Sequence, residues 1–226
     1  WKRSVAVLSA LQQIDRKYVK NEMDVVMTET NVDSLKQNTI SVKMTKNGTP
    51  SDLTEGKDYT VAQKGGNGQW RQYIYTVKKS LFSGDGKYMV AIYSEDSAGN
   101  VNENIDEKKK AEIVFGVDKT PPIIEPLDLQ SNCQYALERK DATVSVKDNL
   151  VLDGVVVYLN NNEVKYAADG ENYSFSIPSD NAKQNVRIVA LDAAGNKTPV
   201  EIKNFLVTTN VFTRWFNNTP LFVGSI

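Results

Sequence analysis

The residues of this sequence that could do chemistry are carboxylates and aromatic rings, because the chain contains no histidine. Without an imidazole, Ser-His-Asp and Cys-His nucleophile systems and most catalytic zinc sites are excluded. The single cysteine, Cys133, has no partner for an intrachain disulfide. No motif singles out two acids at the separation that glycoside hydrolysis requires. We therefore predict that the chain is not an enzyme.

Three aspartates are candidates for a calcium site, since carboxylate oxygens are ligands that this ion prefers. Asp118 lies between the two halves of the chain, and Asp148 and Asp153 follow a predicted strand of the second half. They could combine across the joint and stiffen it. The alternative is that Asp148 forms a turn with Asn149 and that Asp118 begins the connection. Calcium is the one cofactor that the sequence suggests.

Two further aspartates, Asp96 and Asp192, each open a D-x-A-G-N segment. Calcium normally takes six to eight oxygens, and neither segment offers that many close together. The favoured interpretation is a hairpin turn in which Asp accepts hydrogen bonds from backbone amides and Gly adopts the left-handed conformation.

An aromatic group, Trp70, Tyr73 and Tyr75, lies beside the glycine-rich residues 65–68. Tyr73 and Tyr75 share one face of a strand, and exposed rings of this kind stack on sugars or act as interface hot spots. These three residues are therefore the candidate binding site for a glycan or for a host or cell-surface protein. The alternative is that the rings pack in the core.

The elements that must position these side chains are strands. Apolar residues alternate with polar ones along most of the chain, and Gly and Asn turn signals separate the alternating runs. No stretch keeps a helical period for long. The 27 Lys and Arg balance 28 Asp and Glu, so there is no basic excess for nucleic acid. The sequence predicts an all-β fold.

The chain is a tandem repeat. Tyr18 and Tyr135 each begin a Y-x5-D segment, and the D-x-A-G-N segment recurs at Asp96 and Asp192. The second pair is closer together than the first, so the first copy carries extra residues, which we place between residues 46 and 83. Two prolines at residues 121 and 122 make a stiff joint. We predict domains at residues 1–117 and 118–209, followed by a tail at residues 210–226.

These motifs resemble those of bacterial immunoglobulin-like (Big-type) repeats of Gram-positive cell-surface proteins. The resemblance rests on the D-x-T-P-P entry at Asp118, the Y-x5-D entries and the D-x-A-G-N turns. It implies two tandem immunoglobulin-like β-sandwich domains. Tyr88 could form a tyrosine corner in the first domain, whereas Gln184 stands at the aligned position of the second. We expect Val90, Ile92, Val186 and Ile188 to be buried on equivalent central strands.

The tail resembles the juxtamembrane ending of such proteins. Trp215 and Phe216 beside Arg214 suit the membrane interface, and an apolar run follows at residues 220–226. We expect a membrane anchor beyond the C-terminus of the sequence; the alternative is a last strand and a disordered tail. The combined hypothesis is a non-catalytic extracellular spacer or stalk of a bacterial surface protein. The alternative is an adhesion module whose recognition site surrounds Trp70.

Overall fold

Strands account for most of the described part of the chain, which comprises residues 6–9, 14–65, 71–102 and 111–217 of the computed structural model. The chain divides into two compact units, Trp1–Lys119 and Thr120–Ile226, which we call the first and the second unit. The division falls inside the joint that the prolines mark in the sequence, two residues later than the start that we predicted for the second domain.

The first unit contains nine strands within its described residues. They are β1 (Ala6–Ser9), β2 (Tyr18–Val19), β3 (Val25–Asn31), β4 (Ser41–Lys46), β5 (Thr49–Leu53), β6 (Tyr59–Gly65), β7 (Arg71–Val77), β8 (Gly86–Tyr93) and β9 (Glu112–Val117). Two 3₁₀ turns, Gln37–Thr39 and Lys79–Phe82, lie in the connections. One sheet has the strand order β1-β3-β7-β6 and the other β2-β9-β8-β4-β5.

The second unit repeats this arrangement strand for strand. Its strands are β10 (Ile123–Pro126), β11 (Gln134–Tyr135), β12 (Arg139–Lys147), β13 (Leu152–Leu159), β14 (Asn162–Val164), β15 (Tyr166–Asp169), β16 (Asn172–Pro178), β17 (Gln184–Asp192) and β18 (Lys197–Val207). Its sheets have the orders β10-β12-β16-β15 and β11-β18-β17-β13-β14. One short helix, α1 (Val211–Phe216), follows β18.

Both units therefore have immunoglobulin-like topology. In the usual letters, one sheet is A-B-E-D and the other contains G-F-C, with a short strand added at each of its edges. Neighbouring strands are antiparallel except β2 with β9 and β11 with β18, which are parallel. The predicted all-β class with two tandem immunoglobulin-like sandwiches is confirmed.

Each sandwich closes over a core of its own, because alternate side chains of both sheets point inward. The predicted central-strand residues are all in these cores. Val90 and Ile92 of β8 are 0% and 3% exposed, and Val186 and Ile188 of β17 are 1% and 0% exposed. The prediction that these four positions are equivalent and buried is confirmed.

Part of the extra length of the first unit lies between its C and E strands, and part lies in the connection from β8 to β9, residues 94–111, whose counterpart in the second unit is residues 193–196. β5 and β6 span five and seven residues, whereas their counterparts β14 and β15 span three and four. A longer connection, residues 54–58, also separates β5 from β6.

Tyr88 forms the predicted corner of the first unit. Its hydroxyl donates to the carbonyl oxygens of Gly84 and Ser83 at 2.8 and 3.1 Å, and its ring is buried. Gln184 takes over this position in the second unit, where its side-chain amide donates to the carbonyl of Pro178 at 3.1 Å. Tyr88 thereby ties the start of its F strand to the loop before it, and Gln184 ties the start of its F strand to the end of β16.

Helix α1 is a feature that the strand pattern did not predict. Asn210 begins it, because its side-chain oxygen accepts hydrogen bonds from the backbone N–H groups of Phe212 and Thr213. Among the described residues, none of the helices is both long and apolar enough to cross a bilayer.

Candidate functional site

The Asp96 carboxylate organises the turn between β8 and β9 of the first unit. Its Oδ1 accepts hydrogen bonds from the backbone N–H groups of Ala98 and Asn100, at 3.0 and 2.8 Å. Its Oδ2 accepts one from Nδ2 of Asn100 at 2.8 Å. Gly99 has a φ of +84°, as the turn interpretation requires.

Asp192 does the same in the second unit, between β17 and β18. Its Oδ1 accepts from the backbone N–H of Asn196 at 2.7 Å, and its Oδ2 accepts from Nδ2 of Asn196 at 2.6 Å. Asp192 has no exposed surface. Both aspartates therefore act as turn-formers, and their carboxylates satisfy amides that would otherwise be buried without acceptors.

The second unit brings Asp148 next to Asp192. One carboxylate oxygen of each lies within 4.8 Å of the other. Oδ2 of Asp148 accepts a hydrogen bond from the backbone N–H of Leu150 at 3.0 Å, which makes the predicted turn. Its Oδ1 is buried and accepts no hydrogen bond from the described residues. The B–C and F–G turns meet at one end of the sandwich, so tertiary structure alone creates this pair of acids.

Asp153 does not join this pair, which corrects the set of ligands that we expected. It is exposed and lies in a β-bulge of β13, where the pairing with β17 shifts between Leu152 and Gly154. Asp118 is the last residue but one of the first unit; its backbone N–H donates to the carbonyl of Val19 at 2.9 Å, and 1% of the residue is exposed. Calcium binding by Asp118 and Asp148 stays a prediction.

Tyr73 and Tyr75 do not form an exposed aromatic face, which corrects the proposed binding site. They are 2% and 0% exposed, because the face of β7 that they share is the one that packs against the second sheet. The Tyr73 hydroxyl accepts a hydrogen bond from the backbone N–H of Leu35 at 3.1 Å. Trp70 lies outside the described residues, so its role as a binding residue stays a prediction.

The partner of Tyr75 is a buried carboxylate that the sequence did not single out. Glu29 of β3 has no exposed surface, and its two oxygens accept three hydrogen bonds. Oε2 accepts from the Tyr75 hydroxyl at 2.9 Å, while Oε1 accepts from Ser94 Oγ at 2.6 Å and Asn31 Nδ2 at 3.0 Å. Burial, and then the charge and hydrogen bond of Glu29, raise the pKa of Tyr75 well above its ordinary value.

This network is a structural device. The Tyr75 hydroxyl stays protonated and donates, while the Glu29 carboxylate accepts, so each satisfies the other in the interior. A clue exists in the sequence, because Glu29 continues the inward alternation of Val25 and Met27. Glu29 and Tyr75 are therefore engaged in the core of the first unit, as Asp96 and Asp192 are engaged in turns.

The second unit also has a shallow concavity of about 420 Å³. Its lining includes Val156, Tyr158, Tyr166, Arg187 and Lys197. The Tyr166 ring is 39% exposed and packs edge-on against Tyr173, with 5.3 Å between ring centroids. Two aromatic rings beside two cations can stack on a flat ligand and bind its oxygen atoms.

Two solved structures are similar to this chain over most of its length. The fibronectin(III)-like modules of Clostridium thermocellum CbhA are 13% identical, with 89% of this chain and 94% of that chain covered and a TM-score of 0.40. Dpr2 Ig1-Ig2, in its complex with DIP-Theta Ig1-Ig3, is 9% identical, with 91% of this chain and 100% of that chain covered and a TM-score of 0.28. No protein-family model matches the chain, and no curated protein matches it.

Proposed function

We propose that this chain is a non-catalytic spacer on the outside of a bacterial cell, built from two immunoglobulin-like units of a Big-type surface protein. The observation that carries the proposal is the short joint between the units, since a spacer transmits its length only when its joints resist bending. The Big-type motifs of the sequence support the bacterial and extracellular assignment.

The joint begins immediately after contacts with the first unit. The backbone N–H of Lys119 donates to Oδ1 of Asp85 at 2.9 Å, and its Nζ lies 2.6 Å from Oε2 of Glu22. The hydrogen bond from Lys119 lowers the pKa of Glu22. Lys119 is therefore fixed on its own unit.

Contacts with the second unit begin three residues later. The carbonyl oxygen of Pro122 accepts a hydrogen bond from the Thr198 hydroxyl, and β10 starts at Ile123. In the sequence, Thr120 and Pro121 stand between Lys119 and Pro122. The rings of Pro121 and Pro122 fix two φ angles and restrict the residues before them, which supports a stiff joint.

The spacer proposal is tested by replacing both prolines, as Pro121→Gly with Pro122→Gly. NMR relaxation gives a rotational correlation time for each unit, and we expect similar long times for both units in the wild type. The double variant should have shorter correlation times, close to those of separate units, because glycine allows a wider range of φ and ψ angles in the joint. Pro126→Gly is the control, since Pro126 ends β10 away from the joint.

Independent tumbling of the two units in the wild type would overturn the stiff spacer. The location is tested separately, with antibodies against this chain applied to intact cells of the source organism. Labelling of intact cells is expected, and labelling only after lysis would overturn the extracellular assignment.

A second candidate function is adhesion, which the concavity of the second unit favours. Its exposed Tyr166 ring and its two cations suit a glycan or an extended protein segment. We expect Tyr166→Ala to remove binding on a glycan or host-protein array while the melting temperature stays nearly constant. Tyr93→Ala is the matched control, because Tyr93 is 48% exposed on the first unit. If the wild type binds nothing, or if both variants lose binding equally, this candidate fails.

A further inference from the structure

The second unit has a polar concavity of about 340 Å³, a size within the range of small-ligand pockets. The turn between β13 and β14, the start of β17 and the last part of β18 form its walls. Three asparagines and two cations make up most of its lining, namely Asn161, Asn185, Asn204, Arg187 and Lys203. We call it the asparagine concavity.

Two of these asparagines stand where glycine fits the backbone best. Asn161 and Asn204 have φ angles of +67° and +58°, which lie in the left-handed region. In the equivalent turn of the first unit, between β4 and β5, Gly48 follows Asn47 as Asn161 follows Asn160. Glycine therefore suffices for this turn, and Asn161 adds an amide group that the turn geometry does not require.

The third asparagine, Asn185, is held in place by hydrogen bonds. Its backbone N–H donates to Oδ1 of Asn160 at 2.8 Å, and its own Oδ1 accepts from the backbone N–H of Asn204 at 2.9 Å. Its Nδ2 group and the side-chain amides of Asn161 and Asn204 make no hydrogen bond with other described residues. An amide offers both donors and an acceptor, as a sugar hydroxyl does, so these side chains match a ligand with several hydroxyl groups.

Arg187 gives the concavity a positive charge that the protein does not pair. Lys203 forms an ion pair with Glu201, and the hydrogen bond from Lys203 lowers the pKa of Glu201. The Arg187 guanidinium, in contrast, makes no hydrogen bond or ion pair with the rest of the described chain. A guanidinium binds a carboxylate through two parallel hydrogen bonds. The charge of the concavity is therefore matched by a ligand that carries one carboxylate.

We propose that the asparagine concavity binds a hexuronic acid residue of an acidic polysaccharide. Arg187 binds the carboxylate, and the three asparagine amides bind the hydroxyl groups. An acidic peptide fits less well, because Val186, the one apolar residue of the lining, is buried and leaves no surface for a peptide side chain. This site goes beyond the spacer function, and it shares only Arg187 with the concavity around Tyr166.

The test is an NMR titration of the ¹⁵N-labelled chain with oligosaccharides of galacturonic, glucuronic and mannuronic acid. We expect at least one of these acids to shift the side-chain amide signals of Asn161, Asn185 and Asn204. The methyl ester of the same oligosaccharide should bind at least about tenfold more weakly, because its hydrogen bonds with Arg187 are not charge-assisted.

Two sets of variants locate the site. Asn161→Gly with Asn204→Gly removes two amides while the backbone keeps its conformation, and we expect binding at least about tenfold weaker. Asn132→Gly is the matched control, since Asn132 is also left-handed, with a φ of +62°, and lies outside the concavity. Arg187→Gln should abolish the preference for the acid over its ester, whereas Arg139→Gln, on β12, should keep it.

No binding of the three acids by the wild type, equal binding of acid and ester, or an equal loss in Asn132→Gly would overturn the proposal. So would a loss in Tyr166→Ala without a loss in the double glycine variant, because the ligand would then occupy the other concavity. Binding of a poly-aspartate peptide but of none of the oligosaccharides would assign the site to an acidic peptide instead. None of these results bears on the stiffness of the joint.

Discussion

Glu29 and Tyr75 are residues whose chemical types suggest a site and whose surroundings give them a structural role. A buried carboxylate is costly unless hydrogen bonds replace its water, and Glu29 accepts three from protein groups. Because Tyr75 of the neighbouring strand supplies a hydroxyl donor, the charge is accommodated without a cation in direct contact among the described residues.

This arrangement predicts a loss of stability at alkaline pH. Tyr75 ionises near pH 10 in the unfolded chain, whereas its pKa is raised in the folded state. Its contribution is complete below about pH 10 and is lost as the pH rises beyond that, by up to about 1.4 kcal/mol per pH unit. Tyr75→Phe cannot ionise, so the free energy of unfolding of the first unit should fall less steeply above pH 10.

Urea unfolding at a series of alkaline pH values measures this slope. Tyr93→Phe serves as the control, because it makes the same change at a tyrosine that is exposed. If Tyr75→Phe keeps the wild-type slope, the alkaline loss must come from other groups, such as Tyr59, whose pKa burial also raises.

Asp192 gives a second prediction at the scale of a residue. Asp192→Ala removes two acceptors from Asn196, and we expect it to destabilise the second unit by about 2–3 kcal/mol. Asp153→Ala should change the free energy of unfolding by less than about 0.5 kcal/mol, because that side chain is exposed. Chemical denaturation of the two variants measures the difference, and equal effects would contradict the assigned role of Asp192.

Thermal unfolding with calcium, and again with a chelator, tests the calcium hypothesis. The hypothesis predicts that calcium raises the melting temperature of the wild type and that Asp148→Asn removes the effect. The turn-forming role alone predicts the same melting temperature in both buffers.

At the scale of elements, the short parallel strand β2 depends on a glycine of β9. Tyr18 pairs with Gly116, and a Cβ built at Gly116 would lie 2.1 Å from Cδ1 of Tyr18. The ring therefore occupies the space that a side chain would need. Tyr18, the first residue of the Y-x5-D motif, therefore packs against the last strand of the first unit, although the two lie far apart in the sequence.

Gly116→Ala should consequently displace Tyr18 and destabilise the first unit by about 1–3 kcal/mol. Gly154→Ala is the matched control in the second unit, since a Cβ there meets no atom within 4 Å. Thermal unfolding of both variants is the measurement. A stable Gly116→Ala protein would mean that β2 is not held against β9 through this ring.

At the scale of the whole molecule, the two cores are separate. The core of the first unit extends from Ile14 to Val117, and that of the second begins at Ile124. We expect Val90→Ala to lower the free energy of unfolding of the first unit by about 1–4 kcal/mol, because it leaves a cavity in that core. Ile188→Ala should lower the free energy of unfolding of the second unit by a similar amount, for the same reason. Calorimetry resolves the transitions, and a single substitution that lowers both equally would contradict two independent cores.

The sequence alone determined the class of fold, the repeat and much of each core. Alternation identifies strands without knowledge of their neighbours, because it follows from the two-residue period of the backbone. The repeated motifs then placed Val90 opposite Val186 in the alignment, and both are buried. Tyr88 could be assigned to its corner because its partners lie only four and five residues away.

Only the tertiary structure decided which face of each strand is inside and which residues meet. Alternation put Tyr73 and Tyr75 on one face, but packing of the second sheet made that face the core. Asp148 lies beside Asp192 rather than Asp153, because two loops meet at one end of the sandwich and a bulge turns Asp153 outward. The direction of the α1 side chains likewise depends on Asn181 and Gln134, which are distant in sequence. Contacts between residues that are distant in sequence depend on how the sheets pack together. Local periodicity cannot predict them, because it reflects only neighbouring residues.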